Sequence, residues 1–306
     1  MHKSVLLEES IFYLNLRDES VIVDCTLGYG GHSSEILKRI KRGFLFAFDQ
    51  DREAIESSKV RLSKIGDNFE IIKSNFRYLK EELDKRDTKE VDGIFFDLGV
   101  SSPQLDEDYR GFSFHKDAPL DMRMDQENSL TAFTVINTYS KQDLIRIFRD
   151  YGEEKYAVSI ASGIMKYREK KEIETTLELA EIIKENVPFK YKKEKHPARK
   201  VFQAIRIEVN HELEVFEVSL RDAIKRIKIG GRVCVITFHS LEDRLCKNIF
   251  KEFTYVPKEL QKLPVLPEEY EPKYKIVTSI DPSKEELLEN SRARSARLRV
   301  IERIKE

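Results

Sequence analysis

Short apolar runs that end on an acid recur along the first hundred positions. "VIVD" (Val21–Asp24), "GFLFAFDQD" (Gly43–Asp51) and "VDGIFFDLGVSS" (Val91–Ser102) share that form, and "FEIIKSNF" (Phe69–Phe76) has the apolar run without the acid. None alternates apolar with polar positions as a strand with one wet face would, so each predicts a strand covered on both sides. Segments of helical period, His32–Ile40 and Arg52–Ile65, lie between them. Strands alternating with helices predict an α/β, Rossmann-like parallel sheet.

The alternation stops from about Leu130 to Val187. "LTAFTVINTYSKQDLIRIFRDYG", "EKYAVSIASGIMKYREK" and "TTLELAEIIKENV" are helical throughout, the basic "KYKKEKHPARK" follows, and a long helical stretch covers Val201–Ile227. The strand pattern resumes at "IKIGGRVCVITFHS" (Ile227–Ser240), and "YKIVTS" (Tyr274–Ser279) predicts another strand. One sheet domain interrupted by an all-helical insertion explains this order. The expected division is 1–114 with 211–306 for the sheet domain and 115–210 for the insertion, a candidate substrate-recognition domain.

Between the first strand and the first helix stand Gly28, Gly30 and Gly31. Bare backbone lets a ligand approach the main chain, and a helix start offers unpaired N–H groups. Asp49, at the end of the second strand, is placed to take both hydroxyls of a ribose. These features suit a nicotinamide dinucleotide and S-adenosylmethionine alike, and a turn that binds nothing stays open. Two residues shift the balance. Ser33 replaces the third glycine of the dinucleotide fingerprint, and Asp24 would repel a pyrophosphate while suiting the cationic amine of a methionine. "IKIGGRVCVITF" also resembles a segment found late in methyltransferase sheets. A methyltransferase is therefore favoured over an NAD-dependent oxidoreductase.

Composition narrows the partners. Charged residues make up 36% of the 306, yet the formal net charge is −1, so a nucleic-acid site has to be a local patch. Cys25, Cys234 and Cys246 have no CxxC spacing and read as buried, reduced thiols. The six histidines are scattered, with no zinc-ligand spacing, so no metal is expected. No run reaches the ~20 apolar residues of a membrane helix, and acids stand near the N-terminus where a signal peptide is apolar. A soluble, cytoplasmic protein is the expectation.

"DCTLGYGGHS", "DLGVSSPQLDEDYRGFSFHKDAPLDMRMD", "HPARKVFQAIRIEVNHEL", "GGRVCVITFHSLEDRLCK" and "SRARSARLRVIER" follow one another along the chain. This succession resembles that of the bacterial 16S ribosomal RNA cytosine-N4 methyltransferases, the RsmH or MraW proteins. The resemblance implies a class I S-adenosylmethionine-dependent fold with an inserted helical domain. It also implies methyl transfer to N4 of a cytidine in the decoding region of 16S ribosomal RNA, in the small ribosomal subunit. Cofactor contacts carry over to Gly30, Gly31, His32, Asp49, Phe76, Asp97 and Gln104. One departure is Asn290-Ser291, where the family motif opens with Asn-Pro.

Each candidate has an ordinary alternative. Asp97 ends a strand where ligands of such sheets bind, and is also a candidate acceptor for an N4 hydrogen; it could simply cap a turn. Phe76 could be core, and His32 could merely begin a helix, its backbone N–H sufficing. His239 and Ser240 end the fifth strand, pointing to substrate or to plain packing. Arg110, Phe112, Phe114 and Arg123 crowd a segment of no regular period, which suggests a loop that closes over the cofactor or holds a base. Arg292, Arg294, Arg297 and Arg299, set among small residues, suggest phosphate contact. A non-catalytic RNA-binding protein would keep the sheet but has no need of acids at three strand ends.

Overall fold

The computed structural model describes residues 4–100, 108–194, 196–260, 264 and 266–306. Two compact units result: Met1–Gly99 with Leu213–Glu306, and Val100–Glu212.

The first unit holds a seven-stranded sheet in the order β3-β2-β1-β4-β5-β7-β6. Its strands are β1 (Val21–Asp24), β2 (Phe44–Asp49), β3 (Phe69–Lys73), β4 (Val91–Asp97), β5 (Ile227–Thr237), β6 (Tyr274–Ile280) and β7 (Arg297–Arg303). The first five run parallel; β7 lies antiparallel to both β5 and β6. Ile22, Val23, Leu45, Phe48, Ile94, Phe95, Phe96 and Val235 are fully buried, as runs without a polar period require. Helices α1 (Leu7–Tyr13), α2 (Gly31–Leu37), α3 (Arg52–Leu62) and α4 (Leu79–Asp84) belong to the first half of this unit. The parallel order places the C-terminal ends of β1, β2 and β4 side by side, with Asp24 opposite Ala47 and Phe95. Ligands of open α/β sheets bind outside those ends.

The second unit is helical. Helices α5 (Ala132–Thr138), α6 (Lys141–Asp150), α7 (Ala157–Arg168), α8 (Thr176–Glu185), α9 (Phe189–Glu194) and α10 (Ala198–Asn210) enclose a core that includes Val135, Ile147, Phe148, Ile160, Ile183 and Ile205. Thr131, Ser140 and Thr175 cap three of them, the last in a reciprocal capping box with Glu178. Phe112, Leu120 and Met122 pack into the same core. That packing puts Phe112 and Phe114, expected with the sheet, into the helical unit.

Two further expectations change. The stretch Val201–Ile227 is two helices, because His211 adopts the left-handed conformation at φ 51° and closes α10 before α11 (Glu212–Arg226) begins. Apolar periodicity continues on both sides of that one residue and hides the break. The last strand, β7, lies where the sequence shows a basic cluster. Its arginines alternate with Leu298 and Val300, which are fully buried. Helices α12 (Ser240–Phe253) and α13 (Lys284–Glu289) complete the sheet unit. Among the described residues, no helix is long and apolar enough to cross a membrane.

Candidate active site

The chain leaves β1 by a loop tied to both neighbouring strands: the Cys25 N–H donates to the Phe95 carbonyl and the Leu27 N–H to that of Phe48, each at 2.9 Å. Gly28 and Gly30 then take φ of +49° and +74°, a region that side chains disfavour. Gly30 is the N-cap of α2 and supplies no side chain to the free N–H groups of the first turn.

Two acids splint this turn. Asp49 Oδ2 accepts the Gly28 N–H at 2.7 Å and Oδ1 the Asp51 N–H at 2.9 Å. Burial pushes the Asp49 carboxyl from 3.8 up to about 6. Asp24 is fully buried. Its Oδ1 accepts the Thr26 N–H at 3.0 Å, and its Oδ2 the Ser33 hydroxyl at 2.6 Å. The expected role of Asp24 toward a methionine amine is therefore replaced by an internal one. Ser33 is the partner that makes the buried carboxylate tolerable, which explains why a hydroxyl stands where a dinucleotide site has glycine. Burial still raises the Asp24 carboxyl above its ordinary value.

Asp97 ends β4 beside the same loop, and its N–H donates to Thr26 Oγ1 at 2.6 Å. Thr26 thus bridges the β1 and β4 ends. It was missed in the sequence, where a hydroxyl directly after "DC" was the available sign. Asp97 Oδ2 lies 3.4 Å from His32 Nδ1. Asp97 Oδ1 is buried and has no hydrogen-bond partner among the described residues. Burial first, then the charges of Asp24 and Glu242, push this carboxyl well above the usual range. The His32 ring is buried against Phe95, with centroids 4.5 Å apart, and its Nε2 meets the Val5 carbonyl at 3.1 Å. Phe76 opens a short 3-10 turn capped by Asn75, half-buried, its ring edge-on to Phe96 at 5.7 Å.

The remaining candidates separate. Gln104 lies outside the described residues. In the helical unit, Arg110 is 2% exposed and donates to the carbonyls of Arg123 and Met124. Arg123 is committed to Asp121 at 2.7 Å and to the carbonyls of Gln126 and Asn128. Phe112 is 7% exposed. In this structure these three side chains build the helical unit, Arg110 and Phe112 buried and Arg123 partly exposed. Phe114 keeps part of its ring exposed, stacked on His196 at 4.5 Å and 20°.

In the sheet unit, His239 caps α12 in a capping box with Glu242, an assignment on the packing side, and Ser240 begins that helix at the surface. Arg299 pairs with Asp243 at 2.7 and 3.0 Å, and Arg297 with Asp281 at 2.8 and 3.2 Å. Arg292 is the second residue of a 3-10 turn (Ser291–Ser295), where the Asn290 side chain accepts its N–H at 3.2 Å; Ser291 in place of proline leaves that turn intact. Arg294 is exposed and has no acidic partner among the described residues.

A mixed sheet with β7 antiparallel beside β5, a glycine turn after β1 and acids closing β1, β2 and β4 define a class I S-adenosylmethionine-dependent methyltransferase. The chain belongs to the MraW methylase family, which it matches over residues 1–304. Its activity is methyl transfer from S-adenosylmethionine to N4 of a cytidine in 16S ribosomal RNA. Three solved structures to which the chain is similar are an rRNA methylase from Streptococcus thermophilus, SMU.1697c, a putative methyltransferase from Streptococcus mutans in complex with SAH, and a SAM-dependent O-methyltransferase from Thermotoga maritima. The first is 12% identical, covering 100% of this chain and 99% of that one, with a TM-score of 0.46. The second is 11% identical, covering 99% of each, at 0.45. The third is 10% identical, covering 100% and 68%, at 0.42.

Proposed function

We propose that the cofactor lies across the strand ends, with Gly30, Gly31 and His32 along its methionine end, Asp49 on the ribose hydroxyls and Phe76 beside the adenine. Gln104 joins this set through the family motif alone. S-adenosylmethionine supplies an electrophilic methyl group. The protein has to bring an unstacked cytosine, at a cost of a few kcal/mol, to within about 3–3.5 Å of it.

The amine of cytosine is a weak nucleophile because its lone pair is delocalised into the ring. An acceptor for one N4 hydrogen makes the nitrogen more tetrahedral and more reactive. Asp97 is that acceptor. The observation that carries this reading is the buried Asp97 Oδ1, which has no hydrogen-bond partner among the described residues and sits beside the glycine turn. The test is mass spectrometry for N4-methylcytidine after incubating the protein and S-adenosylmethionine with unmethylated small ribosomal subunits or with naked 16S RNA. N4-methylcytidine in either substrate supports the reading, and none in both overturns it.

A pH dependence follows from Asp49. Ribose hydroxyls donate to a carboxylate, and the free protein holds this carboxyl partly protonated up to about pH 6. Cofactor affinity should therefore rise as pH increases through about 6 and level off above it. Calorimetric titrations across that range check this, and Asp49→Asn should flatten the rise.

RNA contact is assigned to the exposed turn before β7. Arg297 and Arg299 are already neutralised by Asp281 and Asp243, whereas Arg294 is not. Arg294→Ala should weaken RNA association and reduce the salt slope by about one, with cofactor affinity unchanged. An unaltered slope in binding assays at several salt concentrations would return Arg294 to the solvated surface.

A further inference from the structure

Val5 fixes which nitrogen of His32 carries the hydrogen. A backbone carbonyl can only accept, so Nε2, at 3.1 Å from it, is the donor. A neutral imidazole has one N–H, which leaves a lone pair on Nδ1. That lone pair faces Asp97 Oδ2 at 3.4 Å. Two lone pairs cannot meet favourably in a buried site, so a proton belongs between them. Catalytic hydrogen bonds are often long before the substrate arrives, and 3.4 Å is within that pattern. On the far side of the same carboxyl, Oδ1 is buried with no partner among the described residues.

We propose that Asp97 and His32 form a proton relay for the methyl transfer, in which Asp97 Oδ1 takes the proton lost from cytosine N4 while Oδ2 passes its own proton to His32 Nδ1. This rests on the placement of Asp97 against the amine given above.

The bookkeeping of the step closes. The N4 lone pair forms the new N–C bond as the methyl–sulfur bond breaks, and that bond's electrons stay on sulfur. N4 loses one proton to Oδ1, the Oδ2–H bond breaks, and Nδ1–H forms. One positive charge disappears with the sulfonium and one appears on the imidazole, so the net charge of the buried site is unchanged. A relay through both oxygens never makes Asp97 a free carboxylate in this setting. Asp24 at the end of β1 and Glu242 on α12 are the charged groups behind Asp97, and both favour its protonated form. His32 is faced by the Phe95 ring and the Val5 carbonyl. Burial lowers its pKa to about 4, so the added proton is readily surrendered through Asp97 once the product leaves.

Two measurements on the full-length protein test the relay. Ring nitrogen NMR of histidine-labelled protein should show His32 as the Nε2–H tautomer, with an Nδ1 signal that moves in Asp97→Ala. An Nδ1–H tautomer, or an Nδ1 signal indifferent to Asp97, overturns the relay without any assay of turnover. In kinetics, His32→Gln keeps a donor for the Val5 carbonyl but has no acceptor at the Nδ1 position. It should lower kcat by about 10²-fold and give a rate that climbs with pH as hydroxide replaces the missing base. Near-normal turnover in His32→Gln with Asp97→Ala inactive removes His32 from the chemistry and leaves Asp97 in place. Near-normal turnover in both removes the whole arrangement.

Discussion

Asp97→Ala is expected to lower methyl transfer by about 10²–10⁴-fold, the range supplied by a positioned general base. The loss should appear in kcat far more than in cofactor affinity. The fold should persist, and the sign of the pKa shift says why. The folded protein holds this carboxyl protonated well above 3.8, so it binds more protons than the unfolded chain over that interval. The stability contributed by Asp97 is therefore complete below its unfolded value and is lost as pH rises through the folded one. At neutral pH the side chain is a burden, and alanine removes it. Thermal melts of the variant at pH 7 should match or exceed the wild type, while labelled-methyl incorporation falls. A variant that melts normally and methylates normally takes Asp97 out of the reaction.

Asp24→Ala should have the opposite profile, with a large loss of stability and an accompanying loss of cofactor binding. The carboxylate is fully buried and holds the Thr26 N–H and the Ser33 hydroxyl. Removing it leaves the buried Ser33 hydroxyl without its acceptor, at about 1–3 kcal/mol, and the part-buried Thr26 N–H at less. A loss of that size lowers the melting temperature by roughly 2–4 °C per kcal/mol for a domain of 150–250 residues. The Thr26 hydroxyl also receives the Asp97 N–H, so the β4 end loosens with the loop. Calorimetry should find both the lower melting temperature and weaker S-adenosylmethionine binding. Asp24→Asn should recover part of each, because one amide oxygen can still accept. Unchanged melting in Asp24→Ala would mean that the loop is held by its backbone bonds alone.

The sequence revealed most where one chemical property repeats along a strand. Apolar runs located β1 to β6, and the acid closing β1, β2 and β4 marked the strand ends outside which open α/β sheets bind ligands. It revealed least where one residue serves two purposes. In β7, arginines alternate with buried Leu298 and Val300, and the charges masked the strand. His211 breaks a helix by its backbone angle, which leaves no trace in hydropathy. Arg110, Phe112 and Arg123 have the composition of a nucleic-acid loop, yet cation and ring are spent on carbonyls, a carboxylate and a core. Composition reports what a side chain could contact, and only the fold decides what it does contact. Asp24 is the sharpest case, since a lone acid before glycines suits an external cation as well as an internal serine.

The placement of β7 bears on how the chain is made. Residues 297–303 pair with β5 on one side and β6 on the other, so the sheet's antiparallel end cannot close until they have emerged from the ribosome, after both partners. The helical unit, residues 100–212, is contiguous and is synthesised well before that moment. A nascent chain therefore carries a period in which β5 has an open, strongly apolar edge, the kind of surface that invites strand exchange with a neighbour. Truncations that remove those seven residues should consequently be handled as substrates by chaperones and proteases, even though they retain every residue of the glycine turn.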